Sequence, residues 1–154
     1  MIALIQRVSN ASVSVDNKIV SEIGKGFLVL LGVFEQDTEK QVELLAKKTA
    51  NLRIFEDENG RMNISPSQLK EKGEDCKLLV VSQFTLCAEC KGQNRPSFMP
   101  AADPQSANEL YEKYVVILRQ QYGFEVGTGV FGADMKVSLL NDGPVTIILD
   151  TDKL

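Results

Sequence analysis

Four stretches of the chain carry side chains able to do or support chemistry. The first is Ser82-Gln83-Phe84-Thr85, which follows the apolar run Leu78-Leu79-Val80-Val81. A strand buried in its first half therefore ends in two hydroxyls and an amide. In sheets with helical cover, the C-terminal end of a strand is a favoured ligand position. Strand alternation sets Ser82 and Phe84 on one face and Gln83 and Thr85 on the other. These groups suit the orientation of a polar substrate; the same pattern also suits a strand leaving the core. The second stretch is Asn141-Asp142-Gly143-Pro144. Glycine reaches backbone torsions that other residues resist, and an X-Pro bond can be cis at modest cost. A cis bond here would turn neighbouring carbonyls the same way, ready to receive an ammonium group. A plain hairpin loop is the other reading.

The third stretch is Cys87-Ala88-Glu89-Cys90. A C-x-x-C suggests zinc or redox chemistry, but no second such pair exists and Cys76 is the only other thiol. A four-ligand site would need carboxylates. A thioredoxin-like motif belongs at a helix N-terminus, whereas this one runs from a strand into a loop bearing Gly92, Pro96 and Pro100. Incidental thiols are the simpler reading. The fourth is Lys91 and Arg95 with Pro96-Ser97-Phe98. Cations beside an aromatic can hold a phosphate and stack a base; a solvated loop is the alternative. Gly24-Lys25-Gly26 lacks the longer glycine-rich frame of a phosphate loop.

Missing residue types narrow the chemistry further. The chain contains no histidine. That excludes Ser-His-Asp and Cys-His mechanisms and every histidine-ligated metal, and neither a metal nor another cofactor is expected. Any hydrolysis proceeds without an imidazole base. The net charge of −4 argues against wrapping a nucleic-acid duplex, although not against gripping one single-stranded end. Three cysteines are too few for a disulfide scaffold, so a reducing cytoplasm is expected. The longest apolar run, Phe27 to Phe34, is far short of a membrane span of about 20 residues.

These residues must be positioned by one domain, since 154 residues, 44% hydrophobic and 25% charged, fit a single globular unit spanning 1–154. Ile2 to Val15 reads as a strand, Asp16-Asn17-Lys18 as a turn and Ile19 to Ile23 as the returning strand. Phe27 to Val33 has the apolar run of a central strand buried on both faces. Thr38 and Gln41 have capping-box spacing, and Val42, Leu45, Ala46, Thr49 and Leu52 then form one helical stripe. Phe55 to Gly73 reads as polar and irregular, with a turn at Asp57-Glu58-Asn59-Gly60 that suits a hairpin tip and another turn at Ser65-Pro66-Ser67. Lys77 to Leu86 reads as a strand and Ala88 to Ala102 as a long loop. Asp103 and Pro104 begin a second helix, with Ala107, Leu110, Tyr111, Tyr114, Val115 and Leu118 on its buried side. After a link holding Gly127, Gly129 and Gly132, Met135 to Leu140 and Val145 to Leu149 read as two strands joined by Asn141 to Pro144. About seven strands and two long helices predict an α+β fold.

Taken in order, several stretches resemble one family. Ser82-Gln83-Phe84-Thr85-Leu86, Arg95-Pro96-Ser97-Phe98, Ala101-Ala102 and Asn141-Asp142-Gly143-Pro144-Val145-Thr146 are similar to D-aminoacyl-tRNA deacylases. So are Ile2-Ala3-Leu4-Ile5-Gln6-Arg7-Val8 and Phe131-Gly132-Ala133-Asp134-Met135. The segment after Leu86 departs from the family, which often carries small or acidic residues where this chain has Cys87 and Cys90. The resemblance implies a single compact α+β domain with a mixed, largely antiparallel, barrel-like β core and two long helices. It implies a cytoplasmic homodimer with its active site at the subunit interface. The substrate would be the acceptor end of a tRNA carrying a D-amino acid or misattached glycine, and the reaction would be hydrolysis of that ester.

The same resemblance assigns residues. Gly143 and Pro144, joined by a cis bond and reaching into the partner's pocket, would hold the α-amino group on main-chain carbonyls and block an L side chain. Arg7 would brace their loop. Ser82, Gln83, Phe84 and Thr85 would line the pocket around the ester and terminal ribose. Phe131 and Met135 would shape it, and Ala101 and Ala102 would lie near the adenosine. An aminoacyl ester is already activated, so positioning a water and polarising the carbonyl, helped by the substrate's 2′-hydroxyl, can suffice. Thr85 as nucleophile is the rival mechanism, and it lacks a visible base. Three other functions stay open: a tRNA-editing domain acting on an L-amino-acid mischarge, a non-catalytic nucleic-acid-binding dimer, and a thiol or zinc protein built on Cys87 and Cys90.

Overall fold

The first strand sets the architecture. In the computed structural model, which describes residues 1–154, β1 (Ile2–Val15) is long enough to serve two neighbours along one edge. Its first half pairs antiparallel with β3 (Gly26–Gly32) and its second half with β2 (Lys18–Ile23). Along its other edge runs β8 (Lys136–Asp150). β3 in turn pairs parallel with β6 (Lys77–Ser82), and β6 pairs parallel with the short β7 (Val126–Thr128). The sheet order is β2-β1-β3-β6-β7, with β8 beside β1. The sheet curls into a nearly closed barrel, bringing β2 back towards β7. At that seam a Cβ on Gly127 would strike the Ser21 hydroxyl, so glycine permits the approach.

Alternation explains why β3 and β6 are apolar throughout. Phe27, Val29 and Leu31 on β3 and Leu78 and Val80 on β6 face a core covered by helices. Leu28, Leu79 and Val81 face a second core with Val8, Ala11 and Val13 of β1. Both faces of the central strands are dry, as expected for strands buried on both sides. The helical cover is α1 (Glu39–Ala50) and α3 (Pro104–Gln120). α1 has the expected capping box at Thr38 and Gln41, and Asp103 caps α3 by accepting from the amides of Gln105 and Ser106. Between these helices a buried hydrogen bond joins Thr49 Oγ1 to the Tyr114 hydroxyl at 2.7 Å. The N-terminal ammonium lies inside the same core, donating to Asp37 Oδ1 at 2.5 Å and to Thr151 Oγ1 at 2.6 Å. No helix is long and apolar enough to cross a membrane.

The single compact α+β domain is as the residues implied, but four local readings need correction. The segment 55–73 is more regular than its composition implies: Asp57 to Gly60 is the expected tip of a hairpin, β4 (Phe55–Glu56) and β5 (Met62–Ile64), but a short helix α2 (Pro66–Glu71) follows. Ser65 accepts from Gln68 N, and Gln68 Oε1 accepts from Ser65 N. Ser65-Pro66-Ser67-Gln68 is thus a capping box with proline at the first helical position, rather than a turn. The glycine link contains β7. The strand from Lys77 stops at Ser82 and continues as a 3₁₀ turn, Phe84–Cys87. Finally, Met135–Leu140 and Val145–Leu149 are not two strands. From Lys136 onwards they are parts of the single strand β8, and Asn141 to Pro144 is no hairpin loop. Gln6 faces Thr146 and Val8 faces Asn141, so two steps along β1 correspond to five along β8. The excess residues bulge out of the ladder.

Candidate active site

A cavity of about 570 Å³ opens beyond the C-terminal end of the parallel β3–β6 pair. Its placement follows from the end of β6. Gln83 N donates to Leu31 O at 2.8 Å as the last sheet bond, and the chain then tightens into the 3₁₀ turn. Strand alternation therefore fails at this point: Ser82, Gln83 and Phe84 all reach the cavity wall. Thr85 does not. It is exposed, and its Oγ1 accepts from Gln83 Nε2 at 2.5 Å. Leu31, Val81 and Val137 give the cavity an apolar lining, and Phe131 and Met135 contribute from the segment before β8. Ala101 and Ala102 add small side chains, placed by a bridge between Ala101 and Phe34. At the mouth, Phe84 and Phe98 pack edge to face with ring centroids 5.0 Å apart.

Two ionisable side chains line the cavity, Tyr111 and Asp134. Neither was singled out for the site in the sequence; Tyr111 was read only as part of a helix stripe. Its hydroxyl donates to Val80 O at 2.8 Å, and burial pushes its pKa up to about 12. Asp134 is exposed and paired with Lys136 at 2.8 Å. The cysteines stand apart from this chemistry. Cys87 is buried, its thiol donates to Val33 O at 3.4 Å, and burial raises its pKa to about 11. Cys90 is exposed. No cluster of three or more His, Cys, Asp or Glu side chains is gathered as a metal would require.

Arg7, Gly143 and Pro144 form a second cluster away from the cavity wall. The Gly143–Pro144 bond is cis, and both residues are exposed on the bulge of β8. Gly143 has φ +142, and a Cβ there would lie 2.6 Å from Val145 Cγ2, so an L side chain is excluded twice over. Arg7 is buried beneath the bulge. Its Nε donates to Asp142 O at 3.0 Å and Nη1 to Ile54 O at 2.7 Å, with Glu56 3.8 Å from Nη2. Asn141 crosses the neck of the bulge, its Nδ2 donating to Arg7 O at 3.0 Å and Val145 O at 2.9 Å. The sequence marked Asn141 as part of a turn; its bridging amide depends on β1 lying alongside and has no local signature. Lys25 lies in a small polar hollow beside Arg7 and is paired with Glu74 at 3.2 Å. Lys25 is not among the side chains that line the larger cavity.

A partly open, mostly apolar cavity with a few convergent polar groups, at the end of a parallel strand pair in a barrel-cored α+β domain, is a candidate site for a small substrate. The chain belongs to the D-Tyr-tRNA(Tyr) deacylase family, whose model it matches over residues 4–150. It is 50% identical over 154 residues to the D-aminoacyl-tRNA deacylase of Thermosipho melanesiensis, covering 100% of this chain and 99% of that one. It is 53% identical over 151 residues to the protein of the same name from Fusobacterium nucleatum, covering 98% and 96%. A solved structure titled c-Myc DNA Unwinding Element Binding Protein superposes with a TM-score of 0.87 at 41% identity, over 97% of this chain and 98% of that one. Another, titled as a probable eukaryotic D-amino acid tRNA deacylase, shares the fold with a TM-score of 0.82 at 17% identity, over 96% and 97%.

Proposed function

We propose that residues 1–154 act as one deacylase domain that hydrolyses the ester of D-aminoacyl-tRNA, and of glycyl-tRNA, releasing the amino acid and the tRNA. The carrying observation is the division of the site. Ser82, Gln83, Phe84, Ala101, Ala102, Phe131 and Met135 line one cavity. Gly143 and Pro144 sit in a separate, outward bulge of the same protomer, with Arg7 buried beneath it. A homodimer in which each bulge enters the other subunit's cavity completes both sites. The bulge carbonyls then hold the α-ammonium, and rigid backbone fills the position an L side chain would need. Only hydrogen fits there, so D-amino acids of many kinds and glycine are accepted. A tRNA substrate puts the reaction in the cytoplasm.

The cavity supports a mechanism with little side-chain chemistry. The amides that open the 3₁₀ turn at Phe84 and Thr85 have no partner inside that turn. In this reading they polarise the ester carbonyl, with the Ser82 and Gln83 side chains alongside. Tyr111 holds its proton at neutral pH, and Asp134 is engaged by Lys136. The substrate's 2′-hydroxyl relays the proton to the leaving oxygen, and a positioned water attacks the carbonyl carbon. The acceptor end alone is gripped, which suits a chain of net charge −4. That charge also disfavours a purely nucleic-acid-binding role.

Matched D-tyrosyl-tRNA and L-tyrosyl-tRNA offered to the purified protein, with free tyrosine followed, test the reading. Release from the D form alone is expected. Equal cleavage of both, or of neither, overturns it, and release from the L form alone would favour an editing domain for L-amino-acid mischarges.

A further inference from the structure

Just outside the cavity mouth, residues 89–97 form a small hairpin. Glu89 N donates to Ser97 O at 2.8 Å and Ser97 N to Glu89 O at 2.9 Å. Its tip carries Lys91 and Arg95, both exposed and both free of ion pairs. The hairpin's one carboxylate, Glu89, lies at its base, so 89–97 is net positive on an acidic chain. The backbone then turns through Phe98 to Ala101, closed by Ala101 N donating to Phe98 O at 3.0 Å. Phe98 is pinned against Phe84, and Ala101 already belongs to the cavity wall. Between them Met99 stands 84% exposed, more than any other large hydrophobic side chain. The lip joining cavity to hairpin is thus apolar and outward-facing, with two unpaired cations next to it.

A single exposed methionine needs no explanation, but its position on the exit path of the substrate does. If the ester and terminal adenosine occupy the cavity, the rest of the RNA must leave through the mouth. The next nucleotide brings a flat base and an anionic phosphate. Aromatic faces that stack on bases, with cations along the backbone, are how proteins hold single-stranded nucleic acid, and a polarisable thioether makes favourable contacts with aromatic rings as well. We propose that Met99, with Lys91 and Arg95, forms a second subsite that stacks the base and holds the phosphate of the nucleotide preceding the terminal adenosine. The proposal rests on the deacylase reading above.

The probes are the D-tyrosyl ester of adenosine and that of the dinucleotide CpA, which differ by the one nucleotide in question. The wild-type protein should show a higher kcat/KM on the CpA ester, and that preference should fall as salt rises. Met99→Ala and the double variant Lys91→Ala, Arg95→Ala should each lower the ratio of the two values, by about fivefold for the stacking part, the low end for a stacked base, while the adenosine ester reacts as before. Because the ratio is internal, partial misfolding cannot mimic the result. Equal reaction of both esters by the wild type, or variants that keep its ratio, overturns the subsite and leaves the deacylase reading standing. No turnover of either ester while D-tyrosyl-tRNA is cleaved overturns a subsite confined to that one nucleotide, and if D-tyrosyl-tRNA is left intact too, both readings fall. A change of oligomeric state in Met99→Ala, seen by sedimentation, also overturns it, because the lip then belongs to a second copy of the chain.

Discussion

Thr85 is the hydroxyl of Ser82-Gln83-Phe84-Thr85 that faces away from the cavity, held by Gln83. A nucleophile needs a base within reach, and none contacts it here. Thr85→Ala should therefore turn over D-aminoacyl-tRNA within about threefold of the wild type, whereas a covalent mechanism would lose several orders of magnitude. Single-turnover kinetics separate the two. Asn141 is the more consequential side chain. Asn141→Ala leaves the carbonyls of Arg7 and Val145 without their donor, a loss of about 1–3 kcal/mol. The urea midpoint should fall, and the D-over-L preference should erode as the bulge loosens. Sequence alone pointed to Ser82, Gln83, Phe84 and Gly143 because polar residues at a strand end and a Gly-Pro pair are local signals. It marks Asn141 only as part of a turn and Tyr111 only as part of a helix stripe, and gives Glu56 no role, because their partners lie far away along the chain: Arg7 on β1 for Asn141 and Glu56, and Val80 on β6 for Tyr111.

At the scale of elements, α1 and α3 meet through Thr49 and Tyr114, both buried. Tyr114→Phe removes the hydroxyl and leaves Thr49 unpaired in an apolar core. A loss of about 1–3 kcal/mol is expected, read as a lower denaturant midpoint with an unchanged slope, and with activity preserved at low temperature. Caps and stripes made both long helices legible, since their signals lie within a few residues. α2 was missed although Ser65 and Gln68 have the same capping-box spacing as Thr38 and Gln41; a six-residue helix has no stripe to reinforce its cap. The end of β6 was misread because the tail Phe84-Thr85-Leu86 has strand-forming residues, and only the ladder's end at Leu31 lets the chain curl. β8 was divided because Asn-Asp-Gly-Pro is turn composition. Pairing with β1 on both sides of the bulge overrides it.

For the molecule as a whole, the alkaline side of the pH dependence follows from buried groups that are neutral. Burial raises Cys76 to about 12, Cys87 to about 11 and Tyr111 to about 12, and it raises Tyr114 further. In the unfolded chain the thiols lose protons near 9.0 and the tyrosines near 10.0. Above those values the unfolded state binds fewer protons than the native one, so stability falls as pH rises. The stabilisation is fully present below pH 9 and drains away through the alkaline range. Melting temperature should therefore decline steeply above about pH 9–10, and tyrosinate absorbance should appear together with unfolding. A flat profile there would show that these groups ionise in place.

The unequal burial of the three cysteines also provides a site-selective handle. Cys76 and Cys87 are shut away with their protons held, while Cys90 is open to solvent beside Lys91. A maleimide dye should couple once per native chain, at Cys90, and three times after denaturation. A fluorophore so attached sits on the rim where an arriving RNA end would pass, and its brightness would turn docking into a signal observable before any bond is cut.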